Sequence, residues 1–125
     1  MSSAFRAAVE ARDVAAMEAA LHPDAVFRSP AVHTPYEGRE ATMTLLREVV
    51  QVFEDFRYVD ELHSSGNASH GLVFEARVGD KRLQGWDWLR TDHDGLVTEL
   101  TVMVRPLSGL IALAQEMGAR LAPAE

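Results

Sequence analysis

Residues 68–105, ASHGLVFEARVGDKRLQGWDWLRTDHDGLVTELTVMVR, alternate apolar and polar side chains with a period of two. That alternation describes strands that bury one face and leave the other toward water. Strands are expected over 68–78, 83–91 and 96–105, separated by Gly79-Asp80 and by Asp92-His93-Asp94-Gly95, whose residue types suit tight turns. Working outward, Phe56 to Ser64 reads as one more strand, set off from the next by Ser65-Gly66-Asn67. Four strands joined by short Gly-containing turns make an antiparallel meander.

Upstream of the meander the period changes. Met43, Leu46, Val49, Val50 and Phe53 form one apolar stripe of a helix that starts at Gly38 or Arg39, while Arg39, Glu40, Arg47, Glu48 and Glu54 lie elsewhere. Near the N-terminus, Ser2 and Ser3 can cap a helix running from about Ala4, and Asp13 stands before Val14, Met17 and Leu21. Two short helices or one bent helix are expected there, stopped by Pro23. Ala25 to Arg28 then forms a brief strand, and Ser29 to Pro35 the longest loop. Downstream, Pro106 ends the last strand, and Leu107, Leu110, Ile111, Leu113, Ala114, Met117 and Leu121 return to helical spacing. The fold class is therefore α+β, with a curved, mostly antiparallel sheet that carries its helices on one face.

Composition narrows the function. A chain of 125 residues has room for one domain, 1–125, which buries roughly two-thirds of its unfolded surface. With 47% hydrophobic and 25% charged residues it should fold without a partner. The net charge of -7 argues against nucleic acid as a partner, since that affinity comes mostly from Lys and Arg on phosphates. The absence of cysteine excludes disulfides, thiolate nucleophiles and Cys-based metal sites. No window approaches the roughly 20 apolar residues of a membrane span, and no leader pattern opens the chain, so a cytoplasmic protein is expected. His22, His33, His63, His70 and His93 lack the close spacing of zinc ligands. No Gly-rich phosphate loop and no Gly-x-Ser-x-Gly elbow occurs, so neither metal nor cofactor is expected.

Three patches carry a family likeness. They are Asp13-Val14 with His22-Pro23-Asp24-Ala25-Val26-Phe27 and Tyr36-Glu37-Gly38-Arg39-Glu40; Gly85-Trp86-Asp87 with Asp92-His93-Asp94-Gly95-Leu96-Val97; and Thr101-Val102-Met103-Val104-Arg105-Pro106. With the order of elements, they make the chain resemble the SnoaL-like proteins of the nuclear transport factor 2-like superfamily. The resemblance implies a sheet wrapped into a cone around an apolar pocket, here with Phe5, Ser29, Tyr58, Leu72, Phe74, Leu89, Leu100, Val102 and Val104 in its lining. Ketosteroid isomerases, scytalone dehydratase, limonene epoxide hydrolase and polyketide cyclases share that fold, so it does not by itself fix a reaction. Against the ketosteroid isomerases, the general-base aspartate falls on Ser29, the oxyanion-hole tyrosine on Phe5, and the second oxyanion-hole acid on Asp87. A serine hydroxyl with no base beside it cannot take a proton from carbon at neutral pH, and Phe5 has no donor.

Asp87 shares a strand face with Leu83, Gly85 and Leu89, opposite Arg82, Gln84, Trp86, Trp88 and Arg90. Facing a pocket, its carboxyl would be desolvated, its pKa raised, and it would serve as a donor to a ligand oxygen or as an acid/base. A structural carboxylate satisfied by an Arg, His or indole is the plainer reading. His33 either reaches the pocket mouth, titrating near neutrality, or is solvated. His70, on a face with Leu72, Phe74 and Ala76, is either a satisfied core histidine or a proton carrier. Strict alternation puts Tyr58 and Asp60 on one face and His63 on the other, and either set can look inward. Trp86 and Trp88, with Arg82 and Arg90, suit a homodimer interface or cover by terminal segments. The expected function is binding of a mostly apolar small molecule, such as a polyketide, terpenoid or aromatic metabolite. Isomerase, cyclase or hydrolase chemistry would run through Asp87 with His33 or His70. The alternative is a noncatalytic binding or dimerisation module.

Overall fold

A computed structural model describes residues 4–66 and 68–121. Ser2, Ser3 and Asn67, given cap and turn roles above, lie outside them. The meander forms as its alternation requires: β3 (Glu54–His63), β4 (Ser69–Val78), β5 (Lys81–Thr91) and β6 (Val97–Arg105) pair antiparallel in sequence. Beside β6 lies β1 (Leu21–Arg28), in parallel, and beyond it β2 (Tyr36–Glu37), a two-residue strand at the end of the 29–35 loop. The six strands run β2-β1-β6-β5-β4-β3 and curl without closing. Against them pack α1 (Ala4–Glu10), α2 (Val14–Ala20), α3 (Arg39–Val52) and α4 (Leu107–Leu121).

Local chemistry explains most boundaries. The Asp13 carboxylate accepts from the Ala16 amide at 3.0 Å and starts α2. Gly38, at φ 97°, precedes α3 in a conformation that favours glycine, and its amide reaches the Ala25 carbonyl at 2.8 Å. Met43 and Leu46 of the expected stripe are buried, and Leu45 and Thr42 widen it. Phe53 follows the helix rather than extending it.

Two expectations need correcting. Pro23 does not separate helix from strand: β1 already begins at Leu21. The ladder to β6 jumps from Leu21 to Val26, and Pro23 sits within that irregularity, where its missing N–H breaks no ladder bond. The second correction concerns β3. Its pairing with β4 shifts between Tyr58 and Asp60, so Tyr58, Glu61 and His63 stand opposite Phe74, Leu72 and His70. Tyr58 and His63 therefore share the concave face, and Asp60 is exposed. One extra residue in a strand reverses the phase of everything after it.

Along β5 the alternation is uninterrupted. Leu83, Gly85, Asp87 and Leu89 are buried on the concave side, with Phe5, Met17, Met43, Leu72, Phe74 and Leu100 among the core around them. Among the described residues, no helix is long and apolar enough to cross a membrane.

Candidate functional site

A cavity of about 760 Å³ opens between the concave sheet and the helices. Each helix contributes to its wall: Phe5 from α1, Met17 from α2, Leu46 from α3 and Leu113 from α4. One side is aromatic. Phe56 lies between Phe53 and Phe74, with ring centres 5.6 and 4.9 Å away, and Tyr58 meets it edge-on at 5.0 Å. The position of Phe74 depends on Gly85 across the ladder, because a Cβ there would come within 2.1 Å of the Phe74 ring.

Two residues beyond Gly85 on the same face, the Asp87 carboxyl lines this cavity while being buried. Its one hydrogen bond among the described residues comes from the Tyr58 hydroxyl, 3.1 Å from Oδ2. Burial pushes the Asp87 pKa up to about 7, against the opposing effect of that hydrogen bond. Burial, and then the neighbouring carboxylate, hold the Tyr58 phenol far above its ordinary range, so Tyr58 stays a donor. Tyr58 stands opposite Phe74 of the concave face, and the shift that follows it in β3 brings Glu61 and His63 to that same face. Tyr58 does not itself line the cavity; it supports Asp87 from behind.

A second polar group extends along the same face. Arg6 Nη1 donates to Glu61 Oε1 at 2.6 Å, and its guanidinium lies 5.3 Å from the centre of the Tyr58 ring. His63 Nε2 is 2.7 Å from Glu61 Oε2, and its Nδ1 is 2.7 Å from His70 Nδ1, so one ring donates and the other accepts. His70 Nε2 lies 3.4 Å from the Thr91 hydroxyl. Burial alone would raise the Glu61 pKa, but Arg6 and His63 outweigh it and lower it.

The cavity brings together Asp87, Phe5, Ser29, Phe74, Leu100 and Val102 of the expected site. Leu72 and Leu89 are packed into the core and do not reach it. His70 is on the concave face as expected but is engaged with His63 and Thr91, outside the cavity lining. His33 is exposed; with Val104 it borders a separate depression of about 460 Å³ between the 29–35 loop and β6. Ser29 borders both hollows, and its hydroxyl accepts from the Ala31 amide at 3.0 Å. Sequence reasoning missed Arg6, Glu61, Phe53 and Phe56 as site-forming residues. The glycine inside an apolar strand face was a usable signal of close packing at Gly85, and nothing comparable marked Arg6 or Glu61. Among the described residues, no group of three or more His, Asp or Glu is placed to hold a metal ion.

Comparison with known proteins places this geometry. The model of the SnoaL-like domain matches residues 3–100. Curated proteins give no match to the sequence. A steroid delta-isomerase from Pseudomonas aeruginosa is similar at 47% identity and TM-score 0.90, over 94% of this chain and 85% of that one. A protein with a cystatin-like fold from Silicibacter pomeroyi is similar at 28% identity and TM-score 0.87, over 94% and 82%. SalBIII, an epoxide hydrolase/cyclase-like enzyme with a role in pyran ring formation in the polyether salinomycin, shares the fold. Its TM-score is 0.69 and its identity 15%, over 84% of this chain and 87% of that one.

Proposed function

The chain belongs to the SnoaL-like family, and from that membership we propose that it binds a mostly apolar small molecule in the cavity, oriented by Asp87. The observation that carries the reading is a buried carboxyl group in a mostly apolar wall, with its pKa near neutrality. A protonated Asp87 donates to a carbonyl, enol or hydroxyl oxygen of the ligand, while Tyr58 holds the other carboxyl oxygen. Apolar walls with a few placed polar groups are the usual form of a small-molecule site.

Near pH 7 both protonation states of Asp87 are populated, which suits general acid/base catalysis. The reaction class is isomerisation, cyclisation or hydrolysis of an activated carbonyl or epoxide compound, with Asp87 stabilising charge on oxygen. Such assistance contributes typically about 10²- to 10⁴-fold. His33 and His70, the expected proton carriers, gain no support from their positions. One observation favours a noncatalytic variant of this reading: Ser29, bordering the cavity where the isomerases' base would fall, offers only a hydroxyl.

The test is binding of 2-naphthol, followed by fluorescence from pH 5 to pH 9, to wild type and Asp87→Leu. Saturable binding below pH 7 that weakens above it and is lost in the variant supports the reading, and carbonyl substrates are then screened for turnover. If both proteins fold and neither binds, the reading fails.

A second copy of the chain is the partner proposed for the convex face. Trp86 and Trp88 are each 36% exposed there and Met103 51%, beside Arg90, whose guanidinium lies 5.2 Å from the Trp88 ring centre. Light scattering on wild type and Trp88→Glu tests it; a monomeric wild type would end it.

A further inference from the structure

Four exposed charged side chains border the open end of the cavity: Glu10, Arg12, Asp55 and Arg57. Three are ion-paired within the fold, Glu10 and Asp55 with arginines that each also hold a second carboxylate. Glu10 pairs with Arg6 at 3.5 Å, Asp55 with Arg77 at 2.6 Å, and Arg57 with Glu75 at 2.5 Å. Arg12 is different. Its guanidinium donates from Nη2 to the Val50 carbonyl, and no carboxylate among the described residues pairs with it. Val50 lies in the last turn of α3, where carbonyls lack helical partners, so this bond has a capping role. It engages one of the nitrogens of a planar fork that carries five N–H donors.

At the rim, Arg12 therefore carries a positive charge that no carboxylate among the described residues pairs with, although the whole chain is at -7. The arginine is also well placed to use it. Arg12 stands in the turn between α1 and α2 at φ 54°, and its amide donates to Val9 O at 3.0 Å while that of Asp13 donates to Ala8 O at 2.9 Å. The backbone is thus held, and the side chain is directed across the opening to α3.

We infer that Arg12 is an anion-binding group at the cavity mouth and that the ligand is an apolar monocarboxylate. Its carboxylate meets the Arg12 fork, its apolar body fills the cavity, and an oxygen at its other end meets Asp87. This inference rests on the small-molecule reading of the cavity proposed above. A carboxylate fits better than a phosphate for two reasons. The planar guanidinium matches a carboxylate with two parallel hydrogen bonds, and Glu10 and Asp55 at the same rim would repel a dianion.

The experiment compares 6-hydroxy-2-naphthoate with its methyl ester, two probes that differ in charge and carry a hydroxyl at the far end. Binding is followed by fluorescence at pH 6, where the naphthoate is ionised and Asp87 mostly protonated. Wild type is expected to bind the carboxylate about tenfold more tightly than the ester, with the preference shrinking as salt is raised. Arg12→Met and Arg12→Gln should both bring the carboxylate down to the level of the ester. The glutamine variant retains a donor for Val50, so it separates loss of charge from loss of the helix cap. Wild type that binds the ester as tightly as the carboxylate overturns the inference while leaving the small-molecule reading intact. So does a preference that survives in both variants. If wild type binds neither probe, both readings fall.

Discussion

The two faces of β5 come from alternate residues of one strand and invert the usual distribution of polar and apolar groups. The concave face carries a carboxyl group, Asp87, buried between Gly85 and Leu89. The convex face carries two tryptophans in contact with water. Each face also relies on a glycine for a close approach: a Cβ at Gly85 would strike the Phe74 ring at 2.1 Å, and one at Gly71 would strike the Trp86 indole at 2.3 Å. The difference lies in what the neighbours can do. Inside, Phe74 is hemmed in by Phe53, Phe56 and Tyr58; outside, the indole borders solvent. Groups that cost stability on the inner face are thus held by packing, whereas those on the outer face are only laid across it.

The largest expected effect is the pH dependence of the inner face. The Asp87 pKa rises from 3.8 to about 7 on folding, so the folded chain holds a proton that the unfolded chain has lost across that window. Its contribution is full below pH 3.8 and is lost as pH rises through 7, a change of about 4 kcal/mol. Asp87→Asn, which cannot ionise, should therefore match wild type near pH 4 and gain on it by about that amount at pH 8 in urea unfolding. A constant difference across the range would mean that Asp87 is solvated.

Gly85→Ala should come next, with a loss of about 3 kcal/mol, since Phe74 has nowhere to move. Its counterpart Gly71→Ala tests the contrast directly. The Trp86 ring can swing toward solvent there, so a loss of about 1 kcal/mol or less is expected from the same unfolding measurement. Equal losses would remove the distinction between the faces.

Tyr58→Phe is expected to be milder, at about 1 kcal/mol below pH 7, where Asp87 is neutral and loses one hydrogen bond. Because that bond lowers the Asp87 pKa, its removal should move the midpoint of the carboxyl titration, read by NMR, upward. A downward shift would place the dominant influence on Asp87 elsewhere.

How much of this could be read in advance differs by strand. In β4, β5 and β6, alternation located the concave face, and with it Asp87, Phe74 and Leu100, because these strands pair residue for residue through the stretch that matters. In β3 the same rule misassigned His63, because the shift after Tyr58 leaves no trace in the pattern of apolar residues. Pro23 misled for a similar reason: a proline ends a strand only where its N–H is needed. For the site, the position of Asp87 was legible and its partnership with Tyr58 was not. The same holds for His70, whose partners His63 and Thr91 lie on neighbouring strands.

The sequence by itself determined the order of elements, the α+β class, the face on which Asp87 lies and the family likeness, because these depend on periodicities of 2 and 3.6 residues and on turn-forming residues close in the chain. Only the tertiary structure decided the phase of β3, the hydrogen bond to Asp87 and the place of Arg12 at the cavity mouth. Each of those depends on segments distant in the chain that meet only when the sheet curls, and no local preference encodes such a meeting.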